Sequence, residues 1–459
     1  MTSHTKADTK SNEPVAIWPD APNPLVAYSP AVKSAGWVFY SGAVASDFQS
    51  GLAPEVRREN PFLGSDMERQ SRYLLKYLEK TTRAAGCDIR NDVVRIWQWF
   101  VSDYPTPQEF EQGNTWPRIS ITPYLEVRNE FISEPRPAST GMAVRQLPIR
   151  NTRVEVDMIC IDDGNKSIGY AVPDGLPSPL AGYSPAIRRG DWIFLAGEIP
   201  VDWQGDYLSP VHMGEPSALA KEARINPYLW YGSPIEKQTD YVLQKLDKIA
   251  HAAGTSLDRA VKAEVYIGHP SDFAGMDRVW KQWFPKNPPA RIVIPYMGLG
   301  GKGSRVEIAL TLLASDAKLK RETIETSAAP PPLGHEPQGV KVGNHLFIST
   351  QMAFDAKGKL ADGMERHPEF PWYGMPGKLQ MRYILENVAA ICERAGTNLQ
   401  NVVRRACFHD DERWFAESFE EWAAHFPNRK PTSTTMKIGG PLIVPGAHIL
   451  LDLIAYVPD

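Results

Sequence analysis

Three stretches of the chain repeat one pattern of apolar and polar positions. Trp37–Asp47, Trp192–Asp202 and His345–Asp355 each run through β-favouring residues and end on an aspartate ahead of a turn. Each reads as a strand entered through a turn from a shorter one. A helix follows in every copy. Ser65-Asp-Met-Glu68 and Ser233-Pro-Ile-Glu236 have capping-box spacing: the serine takes a helical N–H and the glutamate reaches back. Behind them apolar residues recur at helical spacing, at Leu74, Leu78 and Ala85, at Val242, Leu246, Ile249 and Ala253, and at Ile384, Val388, Ile391 and Ala395. The helices are expected to stop at Gly86, Gly254 and Gly396, where a left-handed cap suits glycine.

A strand comes next (93–100, 260–267, 402–408), then a second amphipathic helix, clear at 273–284 and 414–426. The first copy is stretched at that point, between Phe110 and Phe131. Two closing strands finish each unit: 140–146 with 154–161, 292–297 with 306–313, and 435–439 with 449–457. Gly298–Gly303 lacks the Gly-Lys-Ser/Thr of a phosphate loop and reads as a hairpin between two such strands. The order is ββαβαββ three times over, an α+β class. A length of 459 residues fits three domains of roughly 150 residues. The expected division is a disordered tail at 1–19 and domains at 20–165, 172–316 and 330–459, with linkers near Asp162–Ser178 and Ser315–Gly334.

Composition narrows the function classes. A net charge of −4 offers no basic stripe for phosphate, so no nucleic-acid partner is expected. Arg57-Arg58 and Arg404-Arg405 read as solvated faces. The four cysteines have no metal-binding or redox spacing and read as reduced thiols. His409-Asp-Asp-Glu-Arg413 holds metal-ligand residue types, but the acids suit a helix start and no second histidine stands at ligand spacing, so no metal is expected. The polar start is not a signal peptide and no apolar run approaches the ~20 residues of a membrane span, so a cytoplasmic protein without a membrane partner is expected.

The element order carries short motifs at fixed places: Tyr28-Ser-Pro-Ala and Tyr183-Ser-Pro-Ala, Ser41-Gly42, and Pro289-Ala-Arg-Ile-Val-Ile-Pro-Tyr-Met-Gly-Leu299 followed by Arg305-Val-Glu-Ile308. In these the chain resembles the RidA/YjgF family of imine and enamine deaminases, over nearly all of its length after residue 20. The resemblance implies chorismate-mutase-like domains. The family's usual homotrimer would here become an intramolecular pseudo-trimer, either monomeric or a small homo-oligomer, with small-molecule clefts between domains. It implies a hydrolase of carboxylate-bearing imines or enamines that needs no cofactor, with aromatic catabolism as one source of substrate. An arginine would clamp the substrate carboxylate and a glutamate would handle water.

Carried over position by position, the second copy holds Arg291, Glu307, Tyr183 and Gly197, with Ala196 at the family serine and Val293 at its frequent cysteine. The first copy holds Tyr28, Ser41, Gly42 and Glu155, with Ser139 at the arginine position and Arg136 three residues earlier, either reaching the cleft or on the surface. The third copy places His335-Glu-Pro-Gln at the tyrosine motif, Thr434 at the arginine and Leu450 at the glutamate, and reads as architectural. Catalysis is therefore expected from Arg291, Glu307 and Glu155, in one or two clefts. Aromatic inserts, among them Tyr228, Trp230 and Tyr231, are either lids over a cleft or interdomain packing. The alternative functions are a non-catalytic small-molecule binder or, with less support, a cyclic-amide hydrolase.

Overall fold

The computed structural model describes residues 12–20, 23, 26–57, 64–101, 108, 121–179, 181–202, 219–225, 233–296, 301, 303–366 and 374–459. The three long helices form at Asp66–Ala84, Pro234–Ala252 and Pro376–Arg394. Ser65 and Ser233 accept from the amides of Glu68 and Glu236, and the second helix completes its box through the Glu236 side chain. Gly86, Gly254 and Gly396 follow with φ of 81°, 76° and 83°, the left-handed backbone that the caps required.

Each helix packs on a mixed sheet. In the second unit the strand order is Ala290–Pro295, Ala260–Ile267, Val306–Leu313, Trp192–Glu198, Ala186–Arg189 and Ile168–Tyr170. This arrangement corrects the sequence reading twice. Ile168–Tyr170 and Arg321–Ile324 are edge strands inside the expected linkers, and Val15–Ile17 plays that part inside the expected tail. They are three or four residues long and largely solvent-facing, so they carry no apolar alternation to read. The closing strands are not hairpins either. Ala290–Pro295 runs parallel to Ala260–Ile267 on its outer side, while Val306–Leu313 runs antiparallel on the inner side. Parallel neighbours need a crossover, which helix Phe273–Trp283 supplies.

The other faces of the three sheets meet at a common centre. Trp37, Trp192 and His345 occupy one register position in the three units, opposite Ile161, Leu313 and Tyr456. Their rings lie 4.6 to 5.8 Å apart around a quasi-threefold axis. Arg95, Lys262 and Arg404 share another position, beside Ala138, Ala290 and Thr432. Arg95 pairs with Glu264 of the second domain at 2.8 Å, and Lys262 with Asp452 of the third at 2.5 Å. Arg404 closes the cycle on Asp157 of the first domain at 2.9 Å. Trp97 fills the middle, its ring 4.8 Å from the Arg95 guanidinium and 4.3 Å from that of Arg404.

Arg404-Arg405 is thus no solvated face. Both lie in the central strand Val402–His409 and both are buried. Strand alternation sends Arg404 to the axis and Arg405 to the helix layer. Among the described residues no helix is long and apolar enough to cross a membrane.

Candidate active site

Each pair of domains builds one interface from the same parts, and the three interfaces have diverged. One partner contributes the strand that carries Arg291 in the second unit. The next contributes the loop before its second strand and the face of its central strand. Register fixes the counterparts. Ser139, Arg291 and Ser433 are equivalent, opposite Ile96, Ala263 and Arg405. Glu155, Glu307 and Leu450 are equivalent, opposite Trp99, Tyr266 and Phe408. The arginine position of the third unit is therefore Ser433, not Thr434. Counting back from Ala31, Ala186 and Gly339 places Glu336, not His335, at the tyrosine position.

Between the second and third domains the interface is closed by its own charges. Arg291 is fully buried and pairs with Asp277, on the short helix of its own unit, and with Glu336 of the third domain. Its backbone N–H donates to Ser349 Oγ at 3.1 Å, and the Val293 N–H donates to Thr350 Oγ1 at 3.0 Å. Thr350 stands at the glycine position and Leu450 at the glutamate position. The expected clamp is already occupied by protein carboxylates, and Arg291 does not share a cleft with Glu307.

Glu307 faces the first domain instead. A Cβ on Gly197 would fall 2.0 Å from Glu307 Oε1, so the glycine leaves room for that carboxyl. Burial pushes Glu307 up to about 8, with Arg95 opposing and Glu198 adding to the rise. Tyr183 packs half-buried beside these groups, and desolvation, with the charges of Glu198 and Glu307 adding, raises its pKa above the ordinary tyrosine range. Arg128, on helix Thr122–Phe131, is buried and donates to the carbonyls of Ala181 and Gly182 at 2.7 and 3.2 Å. Arg136 donates to the Gly182 carbonyl as well, at 3.2 Å, and pairs with Glu134. Both cations thus hold the loop that leads to Tyr183.

The interface between the third and first domains is the open one. Ser433 N–H donates to Ser41 Oγ at 2.8 Å, and Gly42 N–H to the Ser433 carbonyl at 3.2 Å. A cavity of about 240 Å³ lies against Tyr28, Gly42, Glu155, Phe419, Ser433 and Thr435. A Cβ on Gly42 would sit 1.7 Å from Glu155 Oε1. Burial, with Asp157 adding, drives Glu155 well above the carboxylate range, and a hydrogen bond from the Thr435 amide opposes the rise. The Thr435 hydroxyl accepts from Arg405 Nη2 at 2.9 Å. Thr435 therefore ties a cation to the acid.

Arg405 is fully buried, and its Nε and Nη1 have no hydrogen-bond partner among the described residues. Its guanidinium lies 4.6 Å from the Trp422 ring, as Arg291 lies 4.9 Å from Trp280. The two arginines reach equivalent places from neighbouring strands. Burial lowers the Arg405 pKa, with only Cys407 opposing. An unpaired buried cation is costly, which makes it a strong anion receptor.

Sequence reasoning missed Arg405, Arg128, Glu336 and Thr435. Two consecutive arginines inside an apolar strand were the available signal. Tyr228, Trp230 and Tyr231 lie outside the described residues. Among the described residues no cluster of three or more metal-ligating side chains occurs.

The family model for endoribonuclease L-PSP matches residues 19–161, 175–313 and 326–457. The chain belongs to this family, and the RutC and RidA proteins it is similar to each match about one unit's length of it. A RutC family protein of Pyrococcus horikoshii is 31% identical over 121 residues, 26% of this chain and 79% of that one. The 3-aminoacrylate deaminase RutC of Acinetobacter baylyi is 28% identical over 138 residues, 30% of this chain and 91% of that one. The crystal structure of RidA from the Antarctic bacterium Psychrobacter sp. PAMC 21119 is 30% identical, with 30% of this chain and 99% of that chain covered and a TM-score of 0.25.

Proposed function

We propose that the chain hydrolyses a carboxylate-bearing imine or enamine in the cleft between its third and first domains. The observation that carries this is the buried guanidinium of Arg405, with Nε and Nη1 unpaired, joined to Glu155 through Thr435. The deaminase named among the relatives supports the reaction class.

Arg405 does not itself line the cavity but stands behind its Thr435 wall. From there its fixed charge, held in a planar fork that a lysine cannot reproduce, stabilises the substrate carboxylate. Glu155, held neutral by burial, protonates the imine nitrogen and becomes a carboxylate. An enamine first takes a proton on carbon to become the same iminium. Glu155 then accepts a proton from water as the water oxygen bonds to the imine carbon. The resulting carbinolamine takes that proton on nitrogen and its C–N bond breaks. Ammonia leaves, and the hydroxyl proton returns to the Glu155 carboxylate as the 2-oxo acid forms. Water is the only co-reactant.

The test compares Arg405→Lys with Arg291→Lys, following 2-oxo acid release from imines generated in place from amino acids. Arg405→Lys should lower kcat/KM by about 30-fold or more, the scale of a lost charged hydrogen-bond pair. Arg291→Lys should lower stability but leave kcat/KM of the folded protein within about threefold. The reverse pattern would move the activity to the interface of the second and third domains.

A further inference from the structure

The walls of the open cleft point to the side chain its substrate carries. Beyond Glu155 and the Ser433–Thr435 strand, the cavity is walled by rings: Tyr28, Phe48, Phe415 and Phe419. A second chamber of about 280 Å³ adjoins it, shares Tyr28, Gly42 and Phe48, and adds Trp18, Tyr73 and Tyr77. Tyr28 and Phe48 meet edge to face, with ring centroids 6.1 Å apart. Tyr28 lines both chambers.

Three of these rings, Trp18, Tyr77 and Phe419, are particular to this cleft, whereas Tyr28, Tyr73 and Phe415 have counterparts in Tyr183, Tyr241 and Phe273. Trp18 follows the edge strand of the first unit, and the same place holds Ala171 in the second and Glu325 in the third. Tyr77 lies in its long helix where Lys245 and Asn387 lie in theirs. Lys245 is spent on an internal ion pair with Glu198 at 2.7 Å. Phe419 lies in its short helix where Asp277 lies in the second unit, and Asp277 is spent on Arg291. An acid at one interface occupies its arginine. A phenylalanine at the other leaves the arginine without a carboxylate partner among the described residues and lines the cavity with a ring. Trp18, Tyr77 and Phe419 are thus added at the interface that holds Arg405.

Size agrees with this lining. An apolar cavity of about 150 Å³ admits benzene. The inner chamber alone holds about 240 Å³, enough for a six-membered ring together with a carboxylate and imine head. Stacked and edge-on rings favour a flat aromatic guest over an aliphatic one of equal area.

Resting on the reading of this cleft as a deaminase site, we propose that its substrates are 2-imino or 2-enamino acids bearing an aromatic ring. The carboxylate is directed to the Ser433–Thr435 wall, behind which Arg405 lies, and the ring among Tyr28, Phe48 and Phe419. Ring substituents extend toward Tyr77 and Trp18.

The test uses the full chain and two readouts. Imines generated in place from phenylalanine, tyrosine and alanine are compared by kcat/KM for 2-oxo acid release above the spontaneous rate. Phenylpyruvate and pyruvate are compared by titration calorimetry. The aromatic imines should be preferred over the alanine imine by about tenfold or more. Phe48→Leu and Tyr77→Asn should each erode that preference, lowering kcat/KM several-fold more for the aromatic imines than for the alanine imine. Two variants guard against one failing to fold. Equal turnover of all three imines overturns the aromatic proposal and keeps the deaminase. Absence of turnover, with phenylpyruvate binding that weakens in both variants and no pyruvate binding, removes the deaminase and keeps the aromatic site. Neither turnover nor preferential phenylpyruvate binding removes both.

Discussion

The guanidinium of Arg404, in the third domain, donates to the carboxylate of Asp157, in the first, at 2.9 Å and out of contact with solvent. With Arg95–Glu264 and Lys262–Asp452 it forms a cycle in which each domain's cation rests on the next domain's acid. The pairs span 169, 190 and 247 positions of the chain, so they bind the first and last domains as firmly as neighbours.

Breaking this cycle at one member should be expensive. Arg404→Met leaves the buried Asp157 carboxylate without its cation and is expected to cost about 3–5 kcal/mol, read from urea unfolding curves. Asp157→Asn should cost less because Arg404 keeps Asp452 at 2.9 Å. The double variant Asp157→Leu with Arg404→Met should recover most of that loss. A loss below about 1 kcal/mol in both single variants would mean that water reaches the axis.

Gly42→Ala tests the close approach of Glu155. A methyl group at that position cannot coexist with the present carboxyl, so Glu155 must swing away from Thr435 and from the cavity. Activity should fall by about a hundredfold, with thermal stability changed by only a few degrees, since the flexible end of a side chain does the yielding. Unchanged activity would show that the carboxyl has no part in turnover.

The protonation of Glu155 sets the direction of the pH profile. Its folded pKa is well above the usual range because of burial, so it stays protonated past the pH at which an exposed glutamate ionises. As the proton donor to the imine it is needed neutral, and kcat/KM should decline as pH rises through that raised pKa. Glu155→Gln should lose most activity and also that decline. A profile that instead rises with pH would make Glu155 a base from the outset.

Glu307 gives a stability signature at the interface of the first and second domains. Its folded pKa is about 8, against about 4.3 when unfolded, so the native state holds a proton that the unfolded chain has released. Stability should therefore decline as pH rises between those values. The advantage in Tm of Glu307→Gln over the parent should widen from about pH 5 to pH 8. A constant difference across that range would place the Glu307 pKa near its ordinary value.

The repeated elements were legible because periodicity survives divergence. Helix caps at Ser65 and Ser233 and the glycines behind the helices announce themselves in one dimension. The edge strands do not, because three residues such as Ile168–Tyr170 have one neighbour and little to bury. At the site, Glu155 and Glu307 were legible through their place in the motif, but the cation was sought in a single column. In the third unit that column holds Ser433, and the arginine stands across the sheet ladder at Arg405. Arg128 comes from a helix, at the place of Trp280 and Trp422 in theirs. Adjacency across a parallel pair lies 28 positions away in sequence, which no local pattern reports. The sealing role of Glu336 was hidden by one residue of register.

The ring cluster on the axis bears on how freely this chain can still change. Two tryptophans and a histidine share a space that three identical residues would fill with a different shape, and burial holds His345 neutral by lowering its pKa to about 3. Each ring on the axis packs against two rings from the other units, not against copies of itself. A separated third domain would have to assemble around three histidines, and a separated first around three tryptophans. The fusion is thereby entrenched: each copy has become a poor substitute for either of the other two.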